Sequence, residues 1–135
     1  MKHKLLFSIG ILFGFIGNSQ TVPNGGFENW NSSVYQFPQY FWMNSNLDAI
    51  TANLPPNVLK VTDPQQGTYA VKMQTVTNGS DTLFGYIVNG DPNSGAGGIA
   101  YNQHPTALTG FYKNNVMAGD TAIMFVVFKQ NGTIV

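Results

Sequence analysis

The segment 69–77, with the sequence YAVKMQTVT, carries the signal that decides the fold class of this 135-residue chain. Its apolar residues Tyr69, Val71 and Met73 fall on one face of an extended chain, and a lysine and a glutamine fall on the other. A period of two is typical of a half-buried β-strand. The segment 57–63, NVLKVTD, alternates in the same way. We predict a strand in each of these two segments.

Two later segments are apolar on both faces, which is expected of strands inside a packed sheet. They are 82–89, TLFGYIVN, and 120–130, DTAIMFVVFKQ. The second is the strongest strand signal of the chain and is predicted as a central strand. Shorter strands are predicted around Phe27, at 98–101 and at 106–113.

The composition of residues 20–135 favours strands and turns over helices. Fourteen Asn, twelve Gly, eleven Thr and seven Pro stand against five Leu, four Lys, one Glu and no Arg. The first group forms turns and strands, and the second group contains the residues that a helix needs. The aromatic stretch 31–46 and the Gly-rich stretch 89–98 are predicted to be irregular. About seven short strands predict an all-β chain, either a sandwich or a jelly roll.

The first nineteen residues have the three parts of a secretory signal peptide. Lys2 and Lys4 precede an apolar stretch at 5–16, LLFSIGILFGFI, and small residues follow at 17–19. A membrane-spanning helix would need about 20 apolar residues, so the stretch is short for an anchor. We therefore predict a helical signal peptide at 1–19 and one domain at 20–135. The protein is expected to be secreted or at the cell surface, without stable membrane insertion after cleavage.

The dipeptide Asn131-Gly132 is a typical two-residue β-hairpin turn of type I′. The second arm of that hairpin, 133–135, has only three residues. Hairpin signals otherwise come with two full arms, and the strong strand at 120–130 would have only a short partner on that side. We interpret the chain as the N-terminal part of a longer polypeptide, with a β-sandwich that is incomplete at its C-terminus.

Charge and composition exclude several classes of function. The formal net charge is zero and the chain has no arginine, so a nucleic-acid partner is not expected. The absence of cysteine excludes disulfides, thiol catalysis and cysteine-ligated metals. Two histidines, one of them at position 3, are too few for a multi-histidine metal site.

Three parts of the sequence resemble a known family and follow one another in the same order as in that family. The segment 24–30, NGGFENW, resembles the opening strand of galactose-binding-like jelly-roll modules, which include many carbohydrate-binding modules. The segment 66–73, QGTYAVKM, is similar to the next strand of those modules. The segments 105–113, PTALTGFYK, and 119–122, GDTA, resemble the PCMD carbohydrate-metabolism family. That family occurs in secreted bacterial proteins that often end in a type IX secretion sorting tail.

The resemblance implies one metal, a structural Ca²⁺. In the resembled modules the acid that matches Glu28 helps to hold calcium, together with backbone oxygens near the turn at Thr68 and an acid from the final strand. Glu28 is the only glutamate of the chain. Since calcium takes six to eight oxygen ligands, one carboxylate falls short of a complete site. The alternative is a glutamate at a strand edge that faces water.

Several aromatic residues could stack on sugar rings, provided that amides beside them bond to sugar hydroxyls. The cluster of Tyr101, Asn102 and His104, with Gln103 between them, combines both features, and Trp42 and Tyr112 are further candidate ligand residues. The alternative for any one ring is burial in the sandwich core. The candidate aromatic residues are Trp30, Tyr35, Tyr40, Trp42, Tyr101 and Tyr112.

Catalysis is not expected. A glycosidase needs two carboxylates about 5 to 10 Å apart, and no spacing among the six acids singles out a pair. His104 is the only histidine after residue 19, and no G-x-S-x-G segment provides a nucleophile for it. We therefore expect a non-catalytic, carbohydrate-binding-like module that targets a larger protein, through its downstream domains, to polysaccharide. The alternative is a surface adhesion or structural spacer domain that binds no sugar.

Overall fold

The computed structural model describes residues 21–91, 93, 97–102 and 105–135. The predicted signal peptide at 1–19 lies outside the described residues. The described part of the chain forms short strands and one short helix. In chain order these are β1 (Trp30–Ser32), β2 (Gln36–Pro38), β3 (Trp42–Asn44), α1 (Asn46–Thr51), β4 (Val58–Val61), β5 (Ala70–Met73), β6 (Val76–Thr77), β7 (Thr82–Leu83), β8 (Ile87–Asn89), β9 (Lys129–Gln130) and β10 (Thr133–Ile134).

The strands pair into antiparallel two-stranded sheets. β1 pairs with β2, β3 with β8, β4 with β5, β6 with β7, and β9 with β10. The pairing of β3 with β8 joins segments that are far apart in the chain, and β2 lies against both β3 and β4. The predicted mainly β class is confirmed at this level. Among the described residues, each sheet contains only two strands.

The two segments with the clearest alternation form the longest ladder. β4 and β5 pair from Val58 opposite Met73 to Val61 opposite Ala70, which confirms both predicted strands. The ammonium group of Lys60 lies 3.5 Å from the centroid of the Tyr69 ring, a cation–π contact across the pair. The strand predicted at 69–77 is interrupted after Met73 and resumes as β6.

The segment 82–89 forms two strands rather than the single strand that we predicted. β7 ends at Leu83 and β8 begins at Ile87. Between them Gly85 passes close to two other backbones: a Cβ atom there would lie 2.7 Å from the Asn57 carbonyl oxygen and 2.9 Å from the Gln74 nitrogen. The close approach requires glycine and breaks the strand at this point.

Three predicted strands are wrong. The segments 98–101 and 106–113 are not strands, and in 120–130 only Lys129–Gln130 is one. A strand is held by hydrogen bonds to a neighbouring strand. In the described part of the chain no strand pairs with 106–128, and every residue from 105 to 135 is exposed. Apolar sequence alone therefore does not produce a strand here. The strand predicted around Phe27 begins instead at Trp30.

The predicted hairpin turn at Asn131-Gly132 is confirmed. β9 and β10 pair on either side of it, and both turn residues have the positive φ of a type I′ turn, 52° and 82°. The amide of Val135 donates to the carbonyl oxygen of Phe128 at 3.1 Å, one step beyond the last strand pair.

The stretch 31–46, predicted to be irregular, contains β1, β2, β3 and the start of α1. The helix exists because Ala49 is fully buried and forms a small apolar cluster with Leu54 and Val76. It ends in a Schellman motif: Asn53 has φ 56°, its amide donates to Ile50, and the Leu54 amide donates to Ala49 at 2.8 Å. Tertiary burial overrides the weak helix propensity of this segment. No helix in the described ranges has the length and apolar character that crossing a bilayer requires.

Candidate functional site

A groove of about 400 Å³ opens beside the β2–β3 connection. Six aromatic rings and a set of amides form its walls, and the first turns of α1 close one side. Its lining residues are Asn31, Tyr35, Phe37, Pro38, Gln39, Tyr40, Phe41, Trp42, Met43, Asn44, Leu47, Asp48, Tyr86 and Asn93. This combination of aromatic faces and amide groups defines the candidate site, a ligand-binding groove.

The two rings at the groove rim are held out by an unusual backbone. Tyr40 and Phe41 are consecutive non-glycine residues with φ of 68° and 64°, a conformation that side chains disfavour. Two hydrogen bonds fix it: Asn89 Nδ2 donates to the Tyr40 oxygen at 3.0 Å, and the Gly90 amide donates to the Phe41 oxygen at 2.8 Å. Tyr40 is consequently 53% exposed and Phe41 81% exposed. Strain of this kind is typical of functional sites.

Trp42 lines the groove and is half-buried. Its indole Nε1 donates to the carbonyl oxygen of Pro23 at 2.9 Å, and its ring lies 5.0 Å from the ring of Phe27, tilted by 58°. The indole is therefore held in place by its contacts with the 22–27 turn. A rigid ring costs little entropy when a ligand binds to it.

Asp48 and Tyr86 form a polar pair on the groove wall. The Tyr86 hydroxyl donates to Asp48 Oδ2 at 3.0 Å, across 38 positions of sequence. Burial and the hydrogen bond to Asp48 raise the pKa of Tyr86 above its ordinary value of 10.0, with smaller contributions from the charges of Asp48 and Asp91. Tyr86 is therefore a stable donor at neutral pH, and Asp48 keeps acceptor capacity for a ligand.

Asn44 provides a further polar group of the groove wall. Its Oδ1 accepts from the Asn46 amide at 3.0 Å, which fixes the orientation of the side-chain amide. Its Nδ2 is buried and has no hydrogen-bond partner within the described residues. A buried amide donor without a partner is costly, and such groups are rare in folded proteins.

A buried polar network beneath the groove positions these elements. Asn46 is fully buried and its amide is completely satisfied: Oδ1 accepts from the amides of Asn57 and Val58, and Nδ2 donates to the oxygens of Gln36 and Val58. These four bonds, between 2.8 and 3.0 Å, connect α1 to β2 and to β4.

Ser45 extends the same network towards Tyr86. Its hydroxyl donates to Asn57 Oδ1 at 2.7 Å and accepts from the Tyr86 amide at 3.0 Å. The Ser45 amide donates in return to the Tyr86 oxygen at 3.2 Å. The backbone of Tyr86 is thereby fixed on both sides, next to the helix that carries Asp48.

The two residues that the resemblance assigns to a metal, Glu28 and Thr68, lie together. Both carboxylate oxygens of Glu28 accept from the Thr68 amide, at 3.0 and 3.2 Å, and Oε1 also accepts from the Tyr69 amide at 3.3 Å. Gly67, at φ 86°, makes this possible, since a Cβ there would collide with Glu28 Oε1. We name this arrangement the carboxylate–amide clasp.

The carboxylate–amide clasp does not provide the set of oxygen ligands that calcium takes. Its one carboxylate faces amide N–H groups, whereas calcium needs six to eight oxygens. Within the described ranges there is also no group of three or more His, Cys, Asp or Glu that could hold a metal ion. Calcium binding stays a prediction that depends on the resemblance. Glu28 is exposed, as the alternative expects, and its carboxylate also accepts the hydrogen bonds of the clasp.

The other predicted ligand residues lie elsewhere. The Tyr101 ring packs 5.8 Å from the Phe128 ring, and Asn102 and Tyr112 are exposed and do not line the groove. His104 lies outside the described residues. Trp42, Tyr35 and Tyr40 do line the groove. Sequence reasoning missed Asp48, Tyr86 and Asn44, although the density of aromatic residues at 35–42 marked the region.

Comparison of the chain with protein-family models, with curated proteins and with solved structures found no match in any of the three. The groove geometry and its chemistry therefore carry the functional argument.

Proposed function

We propose that this chain is a secreted, non-catalytic carbohydrate-binding module of jelly-roll type that targets a larger protein to polysaccharide. The observation that carries the proposal is the groove, in which exposed aromatic rings and amides lie side by side. The resemblance of 24–30, 66–73, 105–113 and 119–122 to galactose-binding-like and PCMD domains supports the same function, and the signal-peptide pattern at 1–19 supports secretion.

The chemistry of sugars matches these walls. A pyranose ring has an apolar C–H face that packs on an aromatic ring, and hydroxyls around its edge that need hydrogen-bond partners. Tyr40 and Phe41 offer exposed rings at the rim, and Trp42 offers a fixed ring further in. Gln39 and other amides of the groove supply donors and acceptors. Because the groove is partly open to solvent, we expect dissociation constants of about micromolar or weaker.

The test is retention in affinity gels that contain polysaccharides: β-glucan, xylan, mannan, galactan, polygalacturonate and alginate. We expect retention of the protein on at least one of them and loss of that retention in the Tyr40→Ala/Phe41→Ala variant. Phe111→Ala is the matched control, because Phe111 is 75% exposed and does not line the groove. Retention that survives the double variant would contradict binding in the groove.

A second candidate is an adhesion or spacer domain that binds no sugar. The observation that favours it is the exposed apolar segment 121–128, a surface suited to a protein partner. If the domain is of this kind, the protein migrates in the same affinity gels without being slowed by any of the polysaccharides.

A further inference from the structure

We propose that the groove selects uncharged glycans over acidic ones, and that Asp48, held in place by Tyr86, is the residue that determines this selectivity. The inference rests on the proposed function and specifies its ligand class.

The charges around the groove support this selectivity. Among the lining residues that the structure describes, only Asp48 is charged. The charge that Asp48 places in the groove is negative, so an anionic sugar meets like charge there.

No lysine of the described residues lines the groove. Lys60 lies over the Tyr69 ring, and Lys113 pairs with Asp63 at 2.7 Å. The chain has no arginine, the side chain whose planar fork recognises carboxylates and sulfates in two-point contacts. A site built for uronates or sulfated sugars would be expected to carry such groups.

The same carboxylate favours neutral sugars. Asp48 uses Oδ2 to accept from Tyr86 and keeps further lone pairs for sugar hydroxyls. Hydrogen bonds to a charged acceptor are roughly twice as strong as those between neutral groups. Asp48 thus attracts hydroxyl donors and repels anions. Specific binding sites combine favourable contacts to the right ligand with unfavourable contacts to the wrong one in this way. Tyr86 acts through Asp48, as a positioning residue.

The experiment compares each neutral hexose polysaccharide that retains the protein with its own derivative, in which the primary hydroxyls are oxidised to carboxylates. Xylan, which has no primary hydroxyls, is compared with xylan that carries glucuronic acid side groups. It is run at low ionic strength, since salt screens exposed charges. We expect retention at least about tenfold weaker on the oxidised derivative. Asp48→Asn should lower affinity for the neutral glycan about threefold or more and raise affinity for the oxidised one. Tyr86→Phe should also lower the affinity for the neutral glycan and raise the affinity for the oxidised one, in each case by less than Asp48→Asn does.

Asp120→Asn is the matched control, because it removes the same charge from an exposed turn away from the groove, and it should change neither affinity. Opposite shifts on the two glycans cannot come from a merely destabilised fold, which would weaken both. Equal retention on both derivatives, or equal shifts in Asp48→Asn and Asp120→Asn, would overturn the selectivity and leave the proposed function intact. Retention on acidic polysaccharides alone would also overturn it. Absence of retention on every polysaccharide would overturn the proposed function itself.

Discussion

At the scale of single residues, Asn46 holds more of the fold together than any apolar side chain near it. It joins three chain segments through four hydrogen bonds, of which three are buried and the one to the Gln36 oxygen is part-buried. Removal of the Asn46 side-chain amide takes one hydrogen-bond partner from two backbone N–H groups and two carbonyl oxygens, and each buried polar group that is left unsatisfied is costly. The polar network, and not only the small apolar cluster, therefore determines how α1 sits on the strands.

The corresponding prediction concerns stability. Asn46→Ala should lower the free energy of unfolding by about 3 kcal/mol, because several buried partners lose their hydrogen bonds together. Urea denaturation followed by tryptophan fluorescence measures the change. Asn114→Ala, at an exposed position, is the control and should leave the midpoint almost unchanged. Equal midpoints for the two variants would show that the network contributes little.

A second residue-scale prediction distinguishes the contribution of the carboxylate–amide clasp to stability from the contribution of backbone conformation. Gly67 and Gly79 both have positive φ, 86° and 93°, but only Gly67 faces another group, Glu28. Gly79→Ala should cost about 1 kcal/mol, the price of a left-handed residue with a side chain. Gly67→Ala should cost about 2 kcal/mol or more, since it also breaks the hydrogen bonds of Glu28.

The Glu28→Ala background provides the check on that difference. With the carboxylate removed, Gly67→Ala and Gly79→Ala should cost the same in thermal or urea denaturation. A larger cost for Gly67→Ala that persists in this background would mean that Glu28 is not the cause.

At the scale of elements, the alternation of apolar and polar residues at 57–63 and 69–77 was sufficient to predict β4 and β5, and Asn131-Gly132 was sufficient to predict the last hairpin. These signals are local, because side-chain period and turn conformation depend on neighbouring residues. The segment 120–128 misled the prediction because a strand also needs a partner. Likewise Asp48 and Tyr86 are 38 residues apart, and nothing in either local pattern indicates that they meet.

Helix α1 gives the prediction at this scale. Its last turn needs a left-handed residue at Asn53, where φ is 56°. Asn53→Gly should be neutral or slightly stabilising, while Asn53→Val should destabilise by about 1 kcal/mol or more, since a β-branched side chain is strained there. Thermal denaturation of both variants measures the difference. Equal melting temperatures would contradict the Schellman ending of this helix.

At the scale of the whole molecule, the apolar segment 121–128 is the part of the described surface that we expect to cause self-association. Phe125 is 71% exposed, and its neighbours from Ile123 to Phe128 are exposed as well. An extended apolar segment without a pairing partner associates with other chains. We predict self-association that grows with protein concentration, measured by light scattering. Phe125→Lys should reduce it, and Val34→Lys, which adds the same charge at another exposed position, should not. Equal scattering of the two variants would place the association elsewhere.

The most direct test of glycan binding in the groove uses the two tryptophans of the chain, of which Trp42 lines the groove and Trp30 does not. The measurement is a fluorescence titration of the protein with a soluble polysaccharide that retains it in gels. We predict a saturable change in emission that is lost in Trp42→Phe and kept in Trp30→Phe. An unchanged emission spectrum, or a change that persists without Trp42, would contradict binding in the groove.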